Sequence, residues 1–172
     1  HLASCLADNG VDSEAIGVIL DGTGYGEDAN LWGFEVLTGD YRDFVRHYHL
    51  AYTPLPGGEQ GIRQPWRMAV SYLLSFLGDE GMQAAMKLFG GKERELQVVE
   101  YLVKRRFNSP LSCGAGRLFD AVSAILGICR EATYEGQAAI ELGEMVLDPA
   151  EGRKLPPYPY SFEGEVISPA GI

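Results

Sequence analysis

Ala15-Ile-Gly-Val-Ile-Leu-Asp-Gly-Thr-Gly-Tyr-Gly26 is the stretch on which the fold turns. Its apolar half, Ala15–Leu20, predicts a short buried strand, and Asp21–Gly26 predicts a turn. Beyond it, Leu31–Thr38 and Phe44–Leu50 alternate with the period of two that strands require, and Thr38-Gly-Asp40 separates them. Connections this short leave no room for a crossover. The three strands must therefore form an antiparallel meander over residues 15–50.

On the upstream side, Leu2, Cys5 and Leu6 followed by Asn9-Gly10 predict the tail of a helix over 2–9 with a C-cap. Downstream, Pro54-Leu-Pro-Gly-Gly58 breaks the strand pattern. Pro65 suits the first turn of a helix. From there to Gly78, Trp66, Ala69, Val70, Leu73, Leu74 and Leu77 follow helical spacing. Further helices are expected over Asp79–Leu88, Glu93–Phe107, Gly116–Gly127 and Glu135–Leu147. Lys104-Arg105-Arg106 reads as a helix C-terminus and solvated face. The tail, 148–172, carries Leu155-Pro-Pro-Tyr-Pro-Tyr160 and is expected to be extended, with Glu163–Ile167 returning as a strand. No internal repeat is visible. The whole reads as α+β: a strand meander, a helical part over 65–147 and a proline-rich tail, in one unit over 1–172.

The chain has 172 residues, 46% hydrophobic and 22% charged, an ordinary globular composition with length enough for a core. A net charge of −10 excludes a fold-wide basic footprint for nucleic acid. No apolar run approaches the ~20 residues of a membrane helix. The start, His1-Leu2-Ala3-Ser4, has neither Met nor the basic segment of a secretion signal, and leads us to expect an excised piece of a longer protein. Cys5, Cys113 and Cys129 are far apart and contain no Cys-x-x-Cys, which argues against paired-cysteine zinc and disulfide frameworks. Free thiols in a reducing compartment are expected. A catalytic Cys113, set in a glycine-rich turn, is the alternative.

The 22 glycines cluster at 22–26, 57–61 and 114–116, as they would around a cleft built from loops. Asp21 ends a strand and is followed by Gly22-Thr23-Gly24. A carboxylate there can hold a cation, and backbone N–H groups freed by glycine can face a phosphate. The competing reading is a plain Asp-Gly hairpin turn. Ser112-Cys-Gly-Ala-Gly-Arg-Leu-Phe-Asp120 feeds a helix start, a ready anion site. Arg117, unfavourable for the dipole in a first turn, answers an anion there or pairs with Asp120, which shares its face. Glu135 stands at a helix start, as ligand contact or as cap. Trp66 is core or a stacking platform, and Arg67 can reach an anion. His47 and His49 share a strand face, as a metal pair or as edge residues.

Leu20-Asp-Gly-Thr-Gly-Tyr-Gly26, Leu31-Trp-Gly33, Pro54-Leu-Pro-Gly-Gly58, Gln64-Pro-Trp-Arg-Met68, Gly116-Arg-Leu-Phe-Asp-Ala-Val122 and Tyr134-Glu-Gly-Gln-Ala-Ala139 occur in this order. Together they resemble the C-terminal region of HypF-type carbamoyltransferases, which mature nickel–iron hydrogenases. The resemblance covers most of the chain and is weakest after Pro149. Departures are Phe34 in place of the second glycine of Trp-Gly-Gly-Glu, Ala115 in the Ser-Cys-Gly-Arg turn, and Glu59 for Asp after Pro-Gly-Gly.

The resemblance implies a lobe related to the TsaD-type tRNA-modifying enzymes and to actin-like ATPases, of the ribonuclease H-like kind. It implies transfer of a carbamoyl group from carbamoyl adenylate, made upstream from carbamoyl phosphate and ATP, to the C-terminal cysteine of HypE in the cytoplasm. On this reading Asp21 is catalytic, and His1 and Asp21 hold a divalent metal ion (iron, zinc or magnesium). Gly22, Thr23, Gly24, Gly116, Arg117, Asp120 and Glu135 contact the nucleotide. The first lobe, a Gly-Gly phosphate motif and a last metal aspartate are expected outside this stretch, so the isolated chain is expected to be inactive. Two alternatives stay open: a threonylcarbamoyl transferase acting on tRNA, disfavoured by the acidity, and a non-catalytic module that docks HypE.

Overall fold

The computed structural model describes residues 1–145 and 156–172. Helix α1 spans Leu2–Asp8. Strands β1 (Ala15–Tyr25), β2 (Leu31–Gly39) and β3 (Phe44–Leu50) form the antiparallel meander expected from the period-two pattern. Four short strands extend it into a seven-stranded mixed sheet: β4 (Thr53–Pro54), β5 (Leu111–Ser112), β6 (Ser161–Glu163) and β7 (Val166–Ser168). The order is β4-β5-β2-β3-β7-β6, with β1 on β2. β5 runs parallel to β2, and β7 parallel to β3.

Two expectations about β1 are corrected. The strand does not end at Leu20 but continues to Tyr25, because the ladder absorbs Asp21–Thr23 as a bulge. The reversal comes later: Gly26 N–H donates to the Asn30 carbonyl, and Ala29 takes a left-handed φ of 62°. Nor is β1 buried. Gly17 and Ile19 face Leu2 of α1, while Ile16, Val18 and Leu20 on the other face are exposed.

The helices are α2 (Glu59–Arg63), α3 (Pro65–Leu88), α4 (Glu93–Arg105), α5 (Ala115–Ile125) and α6 (Gln137–Glu144). α3 is broken at Gly78, whose φ of 58° and ψ of −129° only glycine adopts cheaply, so the expected division at 78/79 stands. α4 stops two residues before Phe107 because Arg106 turns left-handed (φ 50°). The tail's expected single strand is a hairpin, β6–β7, turned at Gly164 (φ 63°). The last helix was expected over 135–147. It begins at Gln137, and residues 146 and 147, like 148–155 of the tail, lie outside the described residues.

Trp66, Val70, Phe89, Leu96, Val99 and Ala124 join α3, α4 and α5 into the main core, so Trp66 is a packing residue. Burying such aromatic and aliphatic side chains contributes roughly 1.5–3 kcal/mol each. Leu55, Met68, Tyr72 and Ala121 bind that layer to the sheet through Leu31. This fixes α5 against the β1–β2 hairpin, where the site residues lie. No helix among the described residues is long and apolar enough to cross a membrane.

Candidate functional site

Leu20 pairs with Phe34 and Gly24 with Trp32, so Asp21, Gly22 and Thr23 stand opposite Gly33 alone. The strand bulges there, and a helix start is pressed onto the bulge. A Cβ on Gly114 would lie 2.3 Å from the Gly22 carbonyl oxygen, and one on Gly116 would lie 2.9 Å from Gly22 Cα. A Cβ on Gly33 would come within 2.6 Å of the Asp21 carbonyl oxygen and 2.9 Å of Gly114 Cα. Three backbone segments thus touch without side chains between them. The glycine clusters at 22–24 and 114–116 meet in one junction. Asp21 caps its own loop: Oδ1 accepts the Gly22 N–H at 2.6 Å. Thr23 is exposed.

The junction brings Arg117 to Gly22: its Nη2 would stand 3.7 Å from a Gly22 Cβ. Arg117 and Asp120 are both buried, with Nε 2.8 Å from Oδ2. The contact is not an aligned hydrogen bond, so charge holds the pair. Burial pushes the Asp120 carboxyl up to about 6, even though Arg117 pulls it the other way. Arg117 and Asp120 line a cavity of about 520 Å³ together with Glu59, Thr133 and Glu135. Glu135 is exposed and precedes α6. Gly136, left-handed at φ 76°, is the N-cap, so Glu135 neither opens nor caps the helix as expected. Gln137 is the first helical residue, and its Oε1 accepts the Thr133 N–H in the preceding loop at 2.7 Å.

A second cavity, about 640 Å³, lies on the other side of the bulge and is lined by His1, Asp21, Gly24, Trp32, Gly33 and Glu35 among others. His1 Nε2 is 3.2 Å from Asp21 Oδ2. An imidazole nitrogen and a carboxylate suit a divalent cation. No third His, Cys, Asp or Glu joins them among the described residues, so they fit as part of a ligand set and do not close one. His47 and His49 do not make a metal pair: His47 Nε2 meets Thr38 Oγ1 at 2.8 Å, and His49 Nδ1 meets the Leu50 carbonyl.

Sequence reasoning missed a polar network behind this cavity. Glu35 is 2% exposed. Its Oε1 accepts from Gly33 N–H (3.1 Å), Arg46 Nη2 (2.9 Å) and the Cys113 thiol (3.1 Å). Arg46 lies 3.8 Å over the Trp32 ring, and its Nη1 donates to Tyr52. Tyr52 and Trp32 donate to Asp28. Burial would raise the Asp28 carboxyl, but hydrogen bonds from Tyr52, Asn30 and Trp32 outweigh it and hold the group well below the ordinary carboxylate range. Burial, and then the Glu35 carboxylate, push the Cys113 thiol up to about 12. A thiol so placed is no nucleophile at neutral pH. The one available signal was Trp32-Gly33 set two residues before an acidic position in a strand.

A family model described as "Carbamoyltransferase, Kae1-like Domain, second subdomain" matches residues 17–172. The chain belongs to that family. A carbamoyltransferase HypF of Rhodobacter capsulatus is 42% identical over an alignment that takes in 100% of this chain and 22% of the relative. A probable carbamoyltransferase HypF of Methanocaldococcus jannaschii is 38% identical over 83% of this chain and 18% of its own length. The crystal structure of a full-length HypF in a phosphate- and nucleotide-bound form superposes with a TM-score of 0.83 at 36% identity. It covers 98% of this chain and 26% of that one. The crystal structure of T. kodakarensis HypF gives 0.78 at 30% identity, covering 96% of this chain and 22% of that one. The chain thus spans about a fifth of the length of the curated relatives it matches. The family suggested by the ordered motifs is the family found.

Of the residues singled out in the sequence, His1, Asp21 and Gly24 line the larger cavity, and Arg117, Asp120 and Glu135 the smaller. Gly22 and Gly116 pack against each other at the junction, and the Arg117 guanidinium lies beside Gly22.

Proposed function

We propose that this chain is the part of a HypF-type protein that holds carbamoyl adenylate while its carbamoyl group passes to the C-terminal cysteine of HypE. The observation that carries the reading is the glycine junction. It sets the start of α5 and the Arg117 guanidinium directly against the Asp21–Gly24 bulge. Guanidinium and unencumbered backbone beside a helix start suit a phosphate. The nucleotide-bound HypF of the same fold supports a nucleotide ligand.

In the reaction the HypE thiolate sulfur bonds to the carbamoyl carbon, the carbon–oxygen bond to the phosphate breaks, and AMP leaves with the electron pair. Gly22, Thr23, Gly24 and Gly116 give the phosphate close access to backbone. Arg117 answers its charge, Asp120 positions Arg117, and Glu135 faces the nucleotide from the smaller cavity. His1 and Asp21 would hold a divalent cation (iron, zinc or magnesium), which when bound neutralises phosphate charge. ATP and carbamoyl phosphate enter through the complete protein, in the cytoplasm.

The test is Asp21→Asn in the complete protein. Shape is kept and charge is lost. HypE modification, read as mass gained on its cysteine, should stop, and bound metal should fall, while carbamoyl adenylate formation from ATP continues. Unchanged transfer at unchanged melting temperature would reduce Asp21 to a turn residue.

A further inference from the structure

The buried carboxylate of Glu35 is only half used. Its hydrogen bonds from Gly33, Arg46 and Cys113 all fall on Oε1. Among the described residues, Oε2 takes no hydrogen bond, yet it is not among the sealed-off unpaired atoms. Glu35 lines the larger cavity, the one that holds Asp21 and Gly24. A carboxylate that is 2% exposed and lines that cavity therefore keeps one acceptor oxygen unpaired among the described residues, its other oxygen locked in place.

Such an oxygen calls for a donor. In a hydrated cavity water can supply one. A ligand that displaces that water must bring an N–H or O–H of its own or leave a buried charge unpaired. A phosphate cannot do so, since it would set anion against anion. Resting on the proposal that a carbamoyl-bearing nucleotide sits beside the Asp21–Gly24 bulge, we propose that Glu35 Oε2 accepts a hydrogen bond from the –NH2 of the transferred carbamoyl group. The site thereby selects a carbamoyl over a methyl-bearing acyl group of the same size. Glu35 is then a specificity determinant, and the Arg46, Gly33 and Cys113 donors are what fix its aim. Discrimination against an isostere that lacks the N–H is the kind a site built around a hydrogen bond achieves.

Glu35→Gln makes a sharp test. The three donors on Oε1 will draw the amide oxygen to that side. The side-chain –NH2 then points into the cavity, and an acceptor becomes a donor. The probes are AMP and two stable adenosine phosphonate esters, one ending in –CH2–CO–NH2 and the other in –CH2–CO–CH3. Binding to the complete protein is measured by calorimetry. The unsubstituted protein should prefer the amide ester by about 10- to 100-fold, the range of a hydrogen bond to a charged group. Glu35→Gln should erase or reverse that preference and leave AMP binding unchanged.

Equal affinity of the two esters for the unsubstituted protein overturns the proposal, and so does a preference that survives Glu35→Gln. A loss shared equally by AMP and both esters marks Glu35 as structural and overturns it too. Failure of AMP itself to bind the unsubstituted protein sinks the nucleotide reading instead, and this one with it. Should Glu35→Gln not fold, the comparison of the two esters on the unsubstituted protein decides.

Discussion

Gly114→Ala puts one methyl group into the junction that builds the site. The new Cβ would lie 2.3 Å from the Gly22 carbonyl oxygen and 3.2 Å from its carbon, against an ordinary contact distance of 3.4 Å or more. Both obstacles are backbone, so no rotamer change relieves them. The start of α5 must retreat from β1 by about 1 Å, and Arg117 retreats with it. Overpacking of this kind typically costs about 1–3 kcal/mol. For a chain of this length each kcal/mol moves Tm by roughly 2–4 °C, so a fall of about 2–12 °C is expected. Gly143→Ala is the matched control. It lies in α6 with nothing within 4 Å of its would-be Cβ, and it carries no positive φ. There the same methyl should stabilise by about 0.5–1 kcal/mol, because alanine gives up less entropy than glycine in a helix. Thermal unfolding of both variants, followed by circular dichroism, checks the pair of signs. A Gly114→Ala chain that melts with the parent would refute the close-packed junction and the placement of Arg117 that follows from it.

Three further outcomes are expected. Folded Asp120 keeps its proton up to about 6, while unfolded it releases it near 3.8. The folded state therefore binds more protons between those values, and stability falls as pH rises through them, by about 3 kcal/mol. The unfolding free energy of the parent minus that of Asp120→Asn should drop by that order between pH 4 and pH 7, and a flat difference would show the carboxyl to be unperturbed. Cys5 is exposed, whereas Cys113 is buried with its thiol pushed up to about 12. Iodoacetamide at pH 8 should label Cys5 on the folded chain and spare Cys113, and mass mapping that finds both labelled at one rate would contradict the buried network. The isolated chain, incubated with carbamoyl phosphate, ATP and HypE, should add no mass to the HypE cysteine, since it spans about a fifth of its relatives.

How much of this was legible depended on whether a feature is written in neighbours along the chain or in partners across it. The meander was legible because Leu31–Gly39 and Phe44–Leu50 alternate and their connection is too short for a crossover. The bulge was not, because Asp-Gly reads locally as a turn. Only the register, Leu20 with Phe34 and Gly24 with Trp32, shows that the ladder resumes beyond it. β4 and β5 are two residues each and have no period to detect. They exist because Thr53 pairs with Ser112, 59 positions away, and Leu31 pairs with Ser112 from the other side. Glu135 was misplaced by one turn chemistry: Gly136 adopts a left-handed conformation that starts the helix later than the apolar pattern suggests.

Glu35 was hidden for a deeper reason. In a period-two strand an acidic residue is assigned to the solvent face, and nothing nearby in sequence contradicts that. Its partners come from the next strand, Arg46, and from the turn between β5 and α5, Cys113. Replacing Arg46 should cost more than its own bond, because a buried carboxylate left without its cation is expensive. The β5–α5 turn and the first turn of α5 supply Cys113 to Glu35 and Arg117 to Gly22. One packing contact, glycine against glycine, therefore sets both the acceptor in the larger cavity and the cation beside the smaller one. A change that loosens the contact should degrade both together, whereas a change at Glu35 alone should touch only the first.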